Sequence, residues 1–129
     1  MAAGLGLLLL VPWGGALGSD CDGNTLEILE CLEKKYKELD SKLNHLYRRI
    51  LDQLGPSAKQ TSQDRKANVR DLFVKAQKAW ISFRDEECRA RYSYFSEGSM
   101  GKLELMECQV ELTKERLRIL ENWLDLLDR

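Results

Sequence analysis

The sequence predicts an all-α fold: an up-down-up three-helix bundle, stapled by two disulfides and preceded by a cleaved signal peptide. Three observations carry that prediction. Apolar residues recur at steps of three and four through three long blocks, the spacing of amphipathic helices. Short runs rich in Gly, Pro and Ser separate the blocks. Four cysteines follow an uncharged leader, and one pair is spaced evenly about a turn. Composition agrees. The 129 residues hold 20 Lys and Arg against 21 Asp and Glu, and 43% are hydrophobic. A net charge of -1 gives no footing for a nucleic-acid partner or an anionic membrane surface, and the apolar content argues against disorder.

Residues 1–18 carry no charged side chain, and Leu5 to Val11 is apolar apart from Gly6. A short apolar core followed by Ala16-Leu17-Gly18 fits a secretory signal cut after Gly18, although no Lys or Arg opens it. The run is too short for a stable membrane anchor. Asp20 before Cys21 is not the small residue that lipid modification requires. The mature domain is therefore expected to run from 19 to 129, in the periplasm or secreted.

In the first block, Leu29, Leu32, Tyr36, Leu39, Leu43, Leu46 and Ile50 predict a helix from about Thr25 to Leu54. Asn24 or Thr25 is placed to cap it, and Gly55-Pro56-Ser57 ends it. Asp64 is expected to cap a second helix running to about Tyr94, with Val69, Leu72, Phe73, Ala76, Trp80 and Phe83 turned inward. A turn follows at Ser96 to Ser99, where Gly98 suits a positive φ and Ser99 an N-cap. The third helix starts near Met100 and buries Leu103, Met106, Val110, Leu117, Leu120, Leu124 and Leu127.

Export makes the even cysteine count a disulfide framework. Three connectivities are open to four cysteines, and the hairpin selects one. Gly98 lies midway between Cys88 and Cys108, so a turn there brings both thiols to the same height on adjacent antiparallel helices. That leaves Cys21 to pair with Cys31. With His45 the only histidine and no CxxC, no metal site is expected.

The stretch Ala76-Gln77-Lys78-Ala79-Trp80-Ile81-Ser82-Phe83-Arg84-Asp85-Glu86-Glu87-Cys88, the Glu97-Gly98-Ser99-Met100 turn, and Cys108 with Leu112-Thr113 and Arg116 resemble the LprI-like lysozyme-inhibitor N-terminal family. Leu39-Asp40, Leu43-Asn44 and Tyr47 match the first-helix pattern of that family. The resemblance covers residues 21 to about 120. It implies an exported, all-helical, disulfide-bonded bacterial protein that binds lysozyme and shields peptidoglycan. Within it, Asp40, Asn44, Tyr47, Gln77, Trp80, Arg84, Asp85 and Arg116 are expected to be structural, fixing helix register through inter-helix polar contacts and core packing.

No catalytic constellation is present: no phosphate-cradling glycine loop, no nucleophile elbow, no HExxH, and no thiolate once the cysteines pair. The chain is expected not to be an enzyme and to need no cofactor. Charge is unevenly placed. Residues 19–35 and 82–109, which share one pole of such a bundle, hold 6 Lys and Arg and 11 Asp and Glu, giving -5 and leaving +4 elsewhere. This pole, with candidate contacts Asp85, Glu86, Glu97, Gly98, Ser99, Met100 and Glu104, would suit a cationic lysozyme through electrostatic steering. The competing expectation is a periplasmic helical interaction module with a different partner. Oligomeric state is not fixed by the sequence.

Overall fold

Asn24 begins the helical part of the chain. Its side-chain Oδ1 accepts the Glu27 backbone N–H at 2.9 Å, satisfying one donor that the first turn cannot pair internally. Helix α1 then runs over Thr25–Leu54, α2 over Arg65–Tyr94 and α3 over Ser99–Leu127. The computed structural model describes residues 21–56, 65–96 and 98–129. The expected signal segment, the Asp64 cap and Glu97 lie outside them.

α1 stops at Gly55, whose φ of 77° suits a residue without a Cβ and whose N–H donates to the Leu51 carbonyl at 3.1 Å. Arg70 of α2 completes this end. Its Nη1 donates to the carbonyls of Leu51 at 2.6 Å and Gly55 at 2.5 Å, placing a cation at the negative end of the α1 dipole.

α3 is the central element. It packs most extensively on α1 and next on α2, while α1 and α2 touch little. Leu43, Ile50 and Leu54 of α1, Phe73 of α2, and Leu117, Leu120 and Leu124 of α3 form the larger core. Tyr47 stacks on Phe73 with ring centroids 5.5 Å apart, and Phe73 meets Trp123 edge-on at 5.3 Å, so aromatic rings link all three helices. Toward the other end, Cys21, Leu32 and Val110 form a second cluster, and Cys88, Cys108 and Leu112 a third. The Cys21–Cys31 and Cys88–Cys108 bonds span Cα separations of 5.6 and 5.5 Å, and every cysteine is paired.

The inward face of α2 differs from the one its apolar pattern suggests. Phe73, Gln77, Arg84 and Cys88 are buried, whereas Leu72 is 57% exposed, Phe83 is 53% exposed, and Ala76 and Ala79 face solvent. The disulfide explains the rotation. Cys88 must meet Cys108 on α3, and residues 84, 77 and 73 lie on the stripe of Cys88 at helical spacing. The apolar stripe through 72, 76 and 83 is thereby turned away.

The α2–α3 connection also differs in detail. Gly98 is the N-cap of α3 with φ -77°, Ser99 is already helical, and the left-handed residue is Ser96 at φ 61°. Glycine is required instead at Gly101, where α3 lies against α2. A Cβ there would sit 2.9 Å from the Tyr92 carbonyl oxygen. Alanine normally favours a helix interior by about 1 kcal/mol over glycine. Here Gly101→Ala is expected to lose about 1–2 kcal/mol net through overpacking, read as a lower urea midpoint; a midpoint unchanged or raised would refute the close approach.

Candidate partner-binding pole

Gln77, Arg84 and Arg116 are buried in the bundle around the half-buried Trp80, with Asp40, Asn44 and Asp85 at its edge. Arg84 has only 8% of its side chain exposed. Its Nη1 donates to Asp40 Oδ1 of α1 at 3.4 Å and its Nε to Asp85 Oδ1 at 3.2 Å. The guanidinium lies 5.0 Å from the Trp80 ring centroid and 5.4 Å from that of Tyr36. Asn44 adds a long contact to Asp40, with Nδ2 donating to Oδ2 at 3.5 Å. Arg116 lies on the α3 side of Trp80, 5.9 Å from its centroid, and its Nε donates to Gln77 Oε1 at 2.9 Å. Two guanidinium groups therefore flank one indole. Arg84 ties α1 to α2 where apolar contact is thin, and Arg116 ties α2 to α3. Tyr47 stands apart from this group in the aromatic contact with Phe73.

Burial governs the electrostatics of this layer. It lowers the Arg116 pKa from its usual value, and it raises that of the Tyr36 phenol against the opposing pull of Arg84. Gln77 Nε2, Thr113 Oγ1 and Arg116 Nη2 are buried without a protein partner. Nothing in the layer pairs a nucleophile with a base, and its chemistry is that of a helix clamp. Among the described residues no group of His, Cys, Asp and Glu could hold a metal ion, and no helix is long and apolar enough to cross a membrane.

The surface of the disulfide pole is different. Glu104, Glu107 and Glu111 recur along α3 at helical spacing. Arg91 crosses to this row, 3.5 Å from Glu111, while also 3.8 Å from Glu87 of its own helix. Glu86 pairs with Arg89 at 3.6 Å. These pairs are exposed and contribute little to stability. Glu104 and Glu107 have no ion-pair partner among the described residues. The Glu107 carboxyl is held above the usual range by partial burial first, then by Glu104 and Glu111.

A raised folded pKa makes this contribution to stability complete at low pH and lost as pH rises through the folded value. Glu107→Gln is therefore expected to be more heat-stable than wild type at neutral pH, with the gap closing as pH falls into the carboxylate range. Parallel melting curves across that range would show the opposite slope if Glu107 were held charged.

Beside these acids lie apolar side chains. Tyr94 is 83% exposed and Met100 59%, with Leu26 and Phe95 also accessible. The Tyr94 and Phe95 rings meet edge-on at 5.2 Å. A groove of about 560 Å³ between α2 and α3 is lined by Asp85, Arg89, Tyr92, Ser93, Leu105 and Gln109. Of the residues picked from sequence, Asp85 lines this groove while bonding Arg84, Glu86 lies on the outer face of α2, and Gly98, Ser99 and Met100 begin α3. Sequence reasoning missed Leu26, Tyr94 and Phe95. The available signal was an aromatic pair placed directly before a polar turn, where no helix could bury it.

The family profile described as Lysozyme inhibitor LprI matches residues 19–120. An uncharacterized protein of Rhizobium meliloti (strain 1021) is 30% identical over 88 residues, 67% of this chain and 63% of that one. The uncharacterized protein YecT of Escherichia coli (strain K12) is 28% identical over 110 residues, 80% of this chain and 66% of its own. The chain thus spans less than two thirds of these relatives. No solved structure gives a significant match.

Proposed function

Because this chain belongs to the LprI lysozyme-inhibitor family, we propose that it is an exported, non-catalytic inhibitor that docks its disulfide-bearing pole on a lysozyme and so protects peptidoglycan. The observation that carries this reading is the pairing of unneutralised acids with exposed aromatic surface at one end. The pole holds the -5 of the charge count, and Tyr94, Phe95 and Met100 are exposed within the same segment of sequence. Carboxylates there steer a cationic partner into encounter, and their effect falls with salt. Exposed Tyr and Met side chains supply the apolar area on which affinity depends. The lysozyme cleft is the surface on which such a tip would act, by blocking access of the glycan. Two disulfides support export, since such bonds persist in oxidising compartments.

The test is residual lysozyme activity on cell walls, titrated with the purified oxidised protein. Inhibition is expected to saturate. Glu104→Lys with Glu107→Lys is expected to weaken it more at low salt than at high salt, and Tyr94→Ala by tenfold or more at either, about 1.4 kcal/mol or above. Absence of inhibition across several lysozyme types at micromolar protein would reject the reading. Inhibition that ignores all three substitutions would move it away from this pole.

A further inference from the structure

Away from the disulfide pole, α1 and α3 leave a groove of about 680 Å³ between them, and α2 contributes nothing to its lining. Leu39 and Leu46 of α1, both half-buried, and Leu117 of α3, buried, form the floor. Lys42, His45 and Arg48 stand exposed on the α1 rim, and Glu121 stands exposed on the α3 rim. Lys42, Arg48 and Glu121 have no ion-pair partner among the described residues. The groove therefore carries two unneutralised cations on one rim and one carboxylate on the other, over an aliphatic floor. It lies in the part of the chain that holds the +4 of the charge count. At 1.5 Å per residue Leu117 sits about 27 Å along α3 from Ser99, clear of Tyr94, Phe95 and Met100 at the pole.

We propose that this groove docks an acidic amphipathic helix of a second protein partner, laid between α1 and α3 with its carboxylates against Lys42, His45 and Arg48. Charge and spacing both select that occupant. Steps of three on α1 form one of the ridges along which helices pack, and each step rises about 4.5 Å. Acids at steps of three or four on the incoming helix rise by about 4.5–6 Å, so they keep pace with the cations. On an extended strand, residues of one face recur about every 6.8 Å and fall out of register. From Leu39 to Arg48 the groove runs about 14 Å, room for between two and three turns of a helix. The apolar face of that helix fills the floor at Leu39, Leu46 and Leu117. Glu121 argues against an anionic membrane, which would meet it and the exposed Asp125 one turn further on. A helix instead sets a basic residue on that flank, which also fixes its orientation.

The probes are two capped synthetic helical peptides with the same leucines at steps of three and four. One carries glutamates along the flank meant for α1, and the other carries lysines there. Titrated into isotope-labelled oxidised protein, the acidic peptide is expected to saturate, with chemical-shift changes centred on Leu39, Leu46 and Leu117. The lysine peptide is expected to bind about tenfold more weakly or worse. Lys42→Glu/Arg48→Glu changes two exposed side chains, so it is expected to keep the wild-type melting temperature and to reverse the preference between peptides. No saturable binding of the acidic peptide at millimolar concentration would overturn the proposal, as would equal binding of both peptides or shifts centred elsewhere. Wild type that sediments with phosphatidylglycerol vesicles, when the variant does not, would assign the groove to a membrane instead. Lysozyme inhibition is expected to be equal in variant and wild type. Inhibition lost with the groove charges would make this the lysozyme contact and overturn a separate partner.

Discussion

Replacing Cys88 and Cys108 together by alanine is expected to cost about 3–5 kcal/mol and to lower the melting temperature by about 15 °C. Both residues are fully buried and join α2 to the central helix across a 20-residue separation. Chain entropy accounts for about 3 kcal/mol of the loss, and the space left by two sulfur atoms for the rest. The bond also sets which face of α2 meets α3. The variant should therefore lose near-ultraviolet signal from Trp80 earlier on heating than far-ultraviolet signal. Replacing Cys21 and Cys31 should cost less, because that bond closes a 10-residue separation at the edge of the bundle. Equilibrium urea unfolding of the two variants compares them directly, and equal losses would show that the Cys88–Cys108 bond is not what organises α2.

The second large effect concerns Gln77 and Arg116. Gln77 Oε1 is the acceptor that Arg116 finds at 2.9 Å, and Arg116 is 9% exposed. Gln77→Leu alone removes that acceptor and leaves a guanidinium buried, with an expected loss of about 3 kcal/mol. Gln77→Leu with Arg116→Met removes donor and acceptor together. It also ends the partnerless burial of Gln77 Nε2 and Arg116 Nη2. The double variant is expected to recover to within about 1 kcal/mol of wild type or to exceed it, less about 0.5–1 kcal/mol for the lost contact with Trp80. A thermodynamic cycle in urea measures the coupling. Additive losses would mean that the two side chains are not energetically coupled, and would refute the compensated burial.

The existence of the helices and the limits of α1 were legible because they are local properties. The three-four spacing in α1, the Asn24 cap and the Gly55 stop depend on residues within a turn of one another, and α1 spans 25–54 as its pattern implies. The cysteine pairing was legible because two helices joined by a short turn fix relative height. The burial of α2 was not. Its apolar residues mark a real stripe, but periodicity gives the width of an apolar face and not the element it faces. Gln77 and Arg84 carry polar groups whose burial is tolerable only because Arg116, Asp40 and Asp85 are supplied from elsewhere in the fold or alongside. At the pole, the acids were countable in advance, whereas the exposure of Tyr94 and Phe95, which end α2 and begin the turn, is a property of the packed fold.

The sequence by itself determined three helices, the ends of α1, the pairing of cysteines and the uneven placement of charge. Tertiary structure alone decided the rotation of α2, the central place of α3, and the sorting of motif residues into an interior clamp. Rotation is a collective outcome. One covalent bond at Cys88, two buried guanidinium groups and the close approach at Gly101 must be satisfied at once, and no single helix contains enough of them to choose its own face.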